Sequence, residues 1–171
     1  AIYELCIMNY ALNERWAILY CPRTGICRSR RRWEKVQKEL DAQGVKYDFV
    51  QSESTDSVER LMTMLIHNGY TTIIIMGGDT ALNDAVNCLM KEEDQVRSEI
   101  ALGVIPNGVM NDFARYWGFS EGDVEQTVDW LKAHRVRTID LGCVRYENKQ
   151  GERCRRYFLN CVNVGLIADV M

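Results

Sequence analysis

The run Thr71-Thr72-Ile73-Ile74-Ile75-Met76 is β-branched and apolar without alternation, and it ends directly in Gly77-Gly78-Asp79. A strand with one face in water alternates polar and apolar residues, whereas a strand covered on both faces does not. The run therefore predicts the central strand of a parallel sheet with helices on either side. A helix follows at once, with Leu82, Val86, Leu89 and Met90 on one side.

The same unit recurs. Ala17–Tyr20 is a short apolar run ended by the turn Cys21-Pro22-Arg23-Thr24-Gly25, and a helical stripe of Trp33, Val36 and Leu40 closes at Gly44. Lys46–Val50 reads as a strand. Val58, Leu61, Met62, Leu65 and Ile66 then mark the strongest amphipathic helix, ended by Asn68-Gly69. Ile100–Ile105 is another buried strand, leading into Pro106-Asn107-Gly108 and a short helix from about Asn111. Ser120 and Asp123 suggest a capping box for a helix carrying Val124, Val128 and Leu131. Repeated strand–helix units give an α/β fold: an open, mostly parallel sheet with helices on both faces.

The pattern changes near Arg137. Thr138–Tyr146 and Arg155–Val164 are strand-like, and the polar Glu147–Gly151 between them reads as a hairpin turn. Residues 1–137 are thus expected to form one domain. Residues 138–171, too few to fold unaided, are expected to begin a β-rich second domain that the chain does not complete.

Charge and cysteine usage narrow the function. Against 24 Asp and Glu stand 21 Lys and Arg, a formal charge of −3, which argues against a dedicated nucleic-acid binder. No apolar run reaches the roughly 18 residues of a bilayer span, and Ala1–Tyr20 lacks the basic start of a signal peptide. The seven cysteines include no C-x-x-C pair, which fits free, mostly buried thiols in a reducing cytoplasm. The basic stretch Arg28–Lys38 is expected to be mainly a solvated helix face, with anionic lipid headgroups the alternative. Arg153, Arg155 and Arg156 carry the same two readings. Met62, Met64, Met76 and Met90 read as core filler.

Three Gly-bearing turns, Cys21–Gly25, Gly77–Asp79 and Asn107–Asn111, fall at the carboxyl ends of strands, where open parallel sheets bind ligands. Two lead into helices, whose free N–H groups favour anions. A carboxylate there, Asp79, suits Mg²⁺ bridging phosphate oxygens.

Gly77-Gly78-Asp79-Thr80-Ala81-Leu82-Asn83-Asp84-Ala85-Val86-Asn87 resembles the G-G-D-G-T-L-N-E-V-V-N segment of the diacylglycerol kinase catalytic-domain family, lipid kinases that include the sphingosine kinases. Leu102–Arg115 resembles its L-G-I-I-P-x-G-T-G-N-D-F-A-R segment. Ile139–Gly142, Phe158–Asn160 and Gly165–Val170 resemble its passage into the second domain. The resemblance implies an ATP-dependent lipid kinase acting with Mg²⁺. It implies Asp79 as catalytic carboxylate and metal ligand, and Gly25, Gly77, Gly78, Thr80, Asn83, Gly108, Asn111 and Asp112 around the nucleotide. Implied too are a lipid substrate met peripherally at a membrane surface, a cytoplasmic setting, and compatibility with a homodimer.

The sequence also departs from that pattern. Cys21 stands where Asn is usual, and Asp84 replaces Glu. Thr80-Ala81 replaces Gly-Thr, and Val109-Met110 replaces Thr-Gly. If position 80 or 110 required a left-handed backbone, a Cβ there would cost roughly 1–2 kcal/mol. Losing a hydroxyl donor and open space beside a phosphate predicts weakened ATP turnover, with Thr80 a partial substitute donor. A non-catalytic nucleotide- or lipid-binding descendant is the rival reading, and a NAD-kinase-like activity a distant third.

Overall fold

A computed structural model of the chain describes residues 15–22, 28–53, 57–133 and 135–162, with side-chain surroundings omitted for 28–30. The elements run β1 (Trp16–Tyr20), α1 (Arg28–Ala42), β2 (Tyr47–Gln51), α2 (Ser57–His67), β3 (Thr72–Gly77), α3 (Asp79–Leu89), α4 (Asp94–Ser98), β4 (Ala101–Pro106), α5 (Asp112–Tyr116), α6 (Val124–Lys132), β5 (Gly142–Glu147) and β6 (Arg153–Phe158). The first four strands form one parallel sheet in the order β2-β1-β3-β4. Leu19 sits between Val50 and Ile75, and Ile75 opposite Val104. The α/β architecture expected from the repeated units is the one observed.

Strand geometry sorts the apolar residues between two cores. Successive side chains point to opposite faces, so Ala17, Leu19, Ile73 and Ile75 pack with Val58, Met62 and Leu65 of α2 and Leu82, Ala85 and Leu89 of α3. Trp16, Ile18, Tyr20, Ile74, Met76 and Ile105 pack on the other face with Val36 and Leu40 of α1 and Val128 of α6. Every residue of β1 and β3 is buried. Each such aliphatic side chain contributes about 1.5–3 kcal/mol on leaving water, so these two strands anchor everything attached to their ends. Trp33 of α1 completes the second core by stacking on Phe49, with ring centroids 4.2 Å apart.

The hairpin β5–β6 is antiparallel and sits on α3. Asn87 donates to the Tyr157 carbonyl at 2.8 Å and accepts the Tyr157 N–H at 2.9 Å, so one side-chain amide pairs with both main-chain groups of a β6 residue. Val86 and Met90 pack against Leu141 and Tyr157, and Asp84 pairs with Arg156.

Several local expectations change. Regular pairing joins Gly142–Glu147 to Arg153–Phe158, so both strands are shorter than the strand-like runs Thr138–Tyr146 and Arg155–Val164. The α6 cap is Asp123 itself, whose carboxylate accepts the Gln126 N–H at 3.0 Å. Ser120 is exposed and takes no part in the cap. Helix α4, too short to carry a periodic stripe, was not anticipated. Met64 is 39% exposed rather than core. Of the described cysteines only Cys88 is buried; Cys21, Cys143 and Cys154 are half-buried and Cys161 is exposed. Cys6 and Cys27 lie outside the described residues. Arg31, Lys35 and Lys38 face water as expected, but Arg32 does not, for a reason given below. No described helix is long and apolar enough to cross a membrane.

Candidate functional site

Backbone hydrogen bonds tie the carboxyl ends of the central strands into one rim. Cys21 N–H donates to the Met76 carbonyl at 2.8 Å, and Asn107 N–H to the Gly77 carbonyl at 2.8 Å. The Asn107 side chain, fully buried, donates to the Cys21 carbonyl at 3.1 Å. One residue thus joins the ends of β1, β3 and β4.

Within that rim the β3–α3 and β4–α5 turns touch backbone to backbone. A Cβ built on Gly78 would lie 2.8 Å from the Gly108 Cα, and one on Gly108 only 2.3 Å from the Gly78 Cα. Glycine at both positions is what this approach requires. Asn111 fixes the second turn in a left-handed conformation (φ 52°, ψ 43°), one Asn tolerates better than most residues. Its Oδ1 accepts the Gly108 N–H at 2.7 Å, while its Nδ2 donates to the Gly108 carbonyl at 3.1 Å and to Glu121 Oε1 at 2.7 Å.

Asp79 is the first residue of α3, and its carboxylate reaches the start of a different helix. Oδ2 accepts the Asp112 N–H at 2.9 Å, and Oδ1 accepts the Phe113 N–H at 3.0 Å. Two free donors of the α5 first turn are thereby satisfied by a side chain from α3. Asn160, just past β6, adds a long contact to Oδ1 at 3.4 Å. The N-terminus of α3 itself has no side-chain cap at Gly78.

These contacts decide which groups an anion could meet. The Gly108 N–H is committed to Asn111. The Val109 and Met110 N–H groups have no protein partner among the described residues, and their side chains are 79% and 57% exposed. Among the described non-glycine residues only Asn111 has a positive φ. Neither Thr80 nor Met110 therefore bears the left-handed strain considered for them: Thr80 is an ordinary exposed helical residue, and the departures are chemical rather than conformational.

Gly77, Gly78, Asp79, Gly108, Asn111 and Asp112 are brought together at the rim. Asp112 also pairs through its carboxylate with Arg115 at 2.7 Å. Asn83 lies one turn further along α3, and its Oδ1 is buried without a hydrogen-bond partner. Gly25 and Gly165–Val170 lie outside the described residues. Burial pushes the Cys21 thiol up; a hydrogen bond with Ser52 opposes this, and the Asp84 charge adds to it. No described group of three His, Cys, Asp or Glu could hold a metal ion. Sequence reading did not single out Asn107 or Glu121; the Pro-Asn-Gly turn marks a bend but not the partner of its side chain.

The family description "Diacylglycerol kinase catalytic domain" matches residues 15–144. The chain is 27% identical over 158 residues to "Putative lipid kinase YtlR" of Bacillus subtilis, covering 91% of this chain and 49% of that protein. It is 24% identical over 159 residues to "Diacylglycerol kinase" of Staphylococcus aureus, covering 93% and 46%. In fold it is similar to the solved structure "A putative diacylglycerol kinase from Bacillus anthracis str. Sterne", with a TM-score of 0.68 at 20% identity over 92% of this chain and 50% of that one. The chain spans about half the length of the curated relatives it matches.

Proposed function

The chain belongs to the diacylglycerol kinase catalytic-domain family, and from that premise we propose that it is the nucleotide-binding part of an ATP-dependent lipid kinase. The observation that carries this reading is the contact of Gly78 with Gly108, which sets the N-terminus of α3, without a side-chain cap, beside the N–H groups of Val109 and Met110, which have no partner among the described residues. Uncommitted backbone donors and a positive helix end favour nucleotide phosphates. ATP would supply the γ-phosphoryl group, Mg²⁺ when bound would offset its charge, and a lipid hydroxyl would be the acceptor.

The chain's own residues do the positioning. Gly77, Gly78 and Gly108 allow close backbone approach. Asn111 and Asp112 shape the second turn, and Asn83 offers a spare acceptor. Asp79 is the rim carboxylate that would meet a metal, through Oδ2, which retains a lone pair beyond the Asp112 N–H, whereas Oδ1 already meets the Phe113 N–H and, at 3.4 Å, Asn160 Nδ2. It holds two loops in register as well, so both roles fall on one side chain. Residues 138–162, docked on α3, would begin the second domain, which would supply the lipid site and further acidic groups. Peripheral contact with a membrane surface on the cytoplasmic side, and homodimerisation, belong to the same proposal.

The test is lipid-dependent transfer of labelled phosphate from Mg·ATP by the full-length protein in diacylglycerol-containing micelles. Transfer that requires the lipid supports the reading; nucleotide binding without transfer favours the non-catalytic alternative, to which the exposed Val109 and Met110 give weight. Binding of neither nucleotide nor lipid overturns both.

A further inference from the structure

The β4–α5 turn is held from outside the resembling motifs, by Glu121. This residue lies in the connection between α5 and α6, and its side chain and main chain do different things. Oε1 accepts from Asn111 Nδ2 at 2.7 Å. Arg32 of α1 donates to the Glu121 carbonyl and lies with a guanidinium nitrogen 3.8 Å from Oε2. This explains why Arg32, unlike Arg31, Lys35 and Lys38 of that helix, is drawn down from the solvent.

We propose that Glu121 is a positioning residue that selects the orientation of the Asn111 amide and so sets which backbone donors the turn presents. An Asn side chain has a donor end and an acceptor end of nearly the same shape, and only its partners distinguish them. A carboxylate is acceptor-only. Facing Asn111, it requires the NH₂ end, which leaves Oδ1 toward the Gly108 N–H. That N–H is then spent inside the turn, and the next two, of Val109 and Met110, are left for a ligand. Arg32, bonded to the Glu121 carbonyl and 3.8 Å from Oε2, anchors the residue and couples the turn to α1. The consequence for nucleotide affinity rests on the kinase-type reading above: a turn already ordered in its binding form has less entropy to lose when phosphates arrive.

The experiment uses the full-length protein and two readouts. The first is amide hydrogen exchange at Gly108, measured by NMR without nucleotide in Glu121→Ala, Glu121→Gln and the charge swap Arg32→Glu with Glu121→Lys. Exchange at Gly108 should accelerate roughly tenfold or more in Glu121→Ala, the scale set by losing a hydrogen bond to a charged group. Gln retains an acceptor and should stay close to the parent. The swap restores opposite charges yet places a donor-only group before Asn111, so Gly108 should again exchange fast. Slow exchange in Glu121→Ala, or full rescue by the swap, overturns the proposal, because the pair would then be only a tether. The second readout is calorimetric titration with Mg·ATP. Affinity should fall in Glu121→Ala by a similar factor; an unchanged affinity refutes the link to the ligand. A parent protein that binds no nucleotide refutes the kinase-type reading instead, while the exchange data still decide the role of Glu121.

Discussion

The carboxylate of Asp79 closes the first turn of the helix that begins at Asp112, accepting the N–H groups of Asp112 and Phe113 from 33 and 34 residues away in sequence. An acid at the start of α3 thus completes α5, and the two halves of the candidate site share one group. Catalysis and architecture are therefore hard to separate at this position by activity alone.

Replacing Asp79 with Asn should cost stability as well as turnover. Asn offers one acceptor oxygen where two N–H groups need one each, and its own NH₂ would face a donor. A loss of about 1–3 kcal/mol is expected for the N–H left unsatisfied, read from the urea midpoint at unchanged slope. If the midpoint does not move while turnover disappears, the latch is unimportant and Asp79 is a chemical group only.

The Gly78–Gly108 contact makes a separate prediction. With a Cβ at 2.3 Å from a main-chain atom, Gly108→Ala must push the turns apart, because neither backbone is a flexible side-chain end. Overpacking of this kind costs about 1–3 kcal/mol. Gly122→Ala is the control: nothing lies within 4 Å of its Cβ position and its φ is not positive, so a change within about 0.5 kcal/mol is expected. Equal thermal midpoints for the two variants would refute the close approach.

What could be read from the sequence follows from the range of the interactions involved. The strands β1, β3 and β4 and the helices α2 and α3 declare themselves because burial on both faces, or on one stripe, writes a local pattern. The turns Gly77–Asp79 and Asn107–Asn111 were legible at strand ends for the same reason, while the turn Cys21–Gly25 is described only at Cys21 and Pro22. The joints within the rim were not legible. Asn107 reaches Cys21 across 86 residues, and Arg32 reaches Glu121 across 89; no window of sequence contains either pair. Asp79 reads as an acid facing phosphate because nothing nearby in sequence shows that α5 starts against it. Ser120 and Asp123 are both good caps, and only the turn geometry chooses Asp123. The division expected at residue 137 rests on the change to hairpin-like strands, and the docking of Tyr157 on Asn87 depends on a partner 70 residues earlier.

Because neither Val109 nor Met110 has a positive φ, restoring the family residues there should act through chemistry rather than relief of left-handed strain. Val109→Thr adds a hydroxyl donor at the exposed tip, and Met110→Gly removes a side chain beside an unpaired N–H. On the kinase-type reading the pair should raise Mg·ATP affinity by roughly tenfold, the scale of one hydrogen bond to a charged group. Stability should change little, since both side chains are exposed. Thr80→Gly, by contrast, should weaken α3 by up to about 1 kcal/mol. Calorimetry and chemical denaturation on the same three variants separate the two effects, and a nucleotide affinity that does not respond to Val109→Thr would remove this turn from the phosphate site.

A pH-dependent contribution sits at the opposite end of the sheet from the rim. Asp48 in β2 accepts the Tyr70 hydroxyl at 2.6 Å and Arg15 at 2.5 Å. The Tyr70 hydrogen bond, followed by that of Arg15 and its positive charge, holds the Asp48 carboxyl below its ordinary range. A carboxyl lowered on folding stabilises the native state fully above its unfolded value near 4, and loses that contribution as pH falls through the lower folded value. The parent should therefore be more stable than Asp48→Asn at pH 7, with a gap that narrows below about pH 4 and is smallest in strong acid. Added salt should shrink the Arg15 share at neutral pH while sparing most of the Tyr70 share, which a Tyr70→Phe variant isolates. Urea midpoints for the three proteins across pH 2–8 provide the check, and a gap that stays constant through acid would show that the Asp48 charge contributes nothing to the fold.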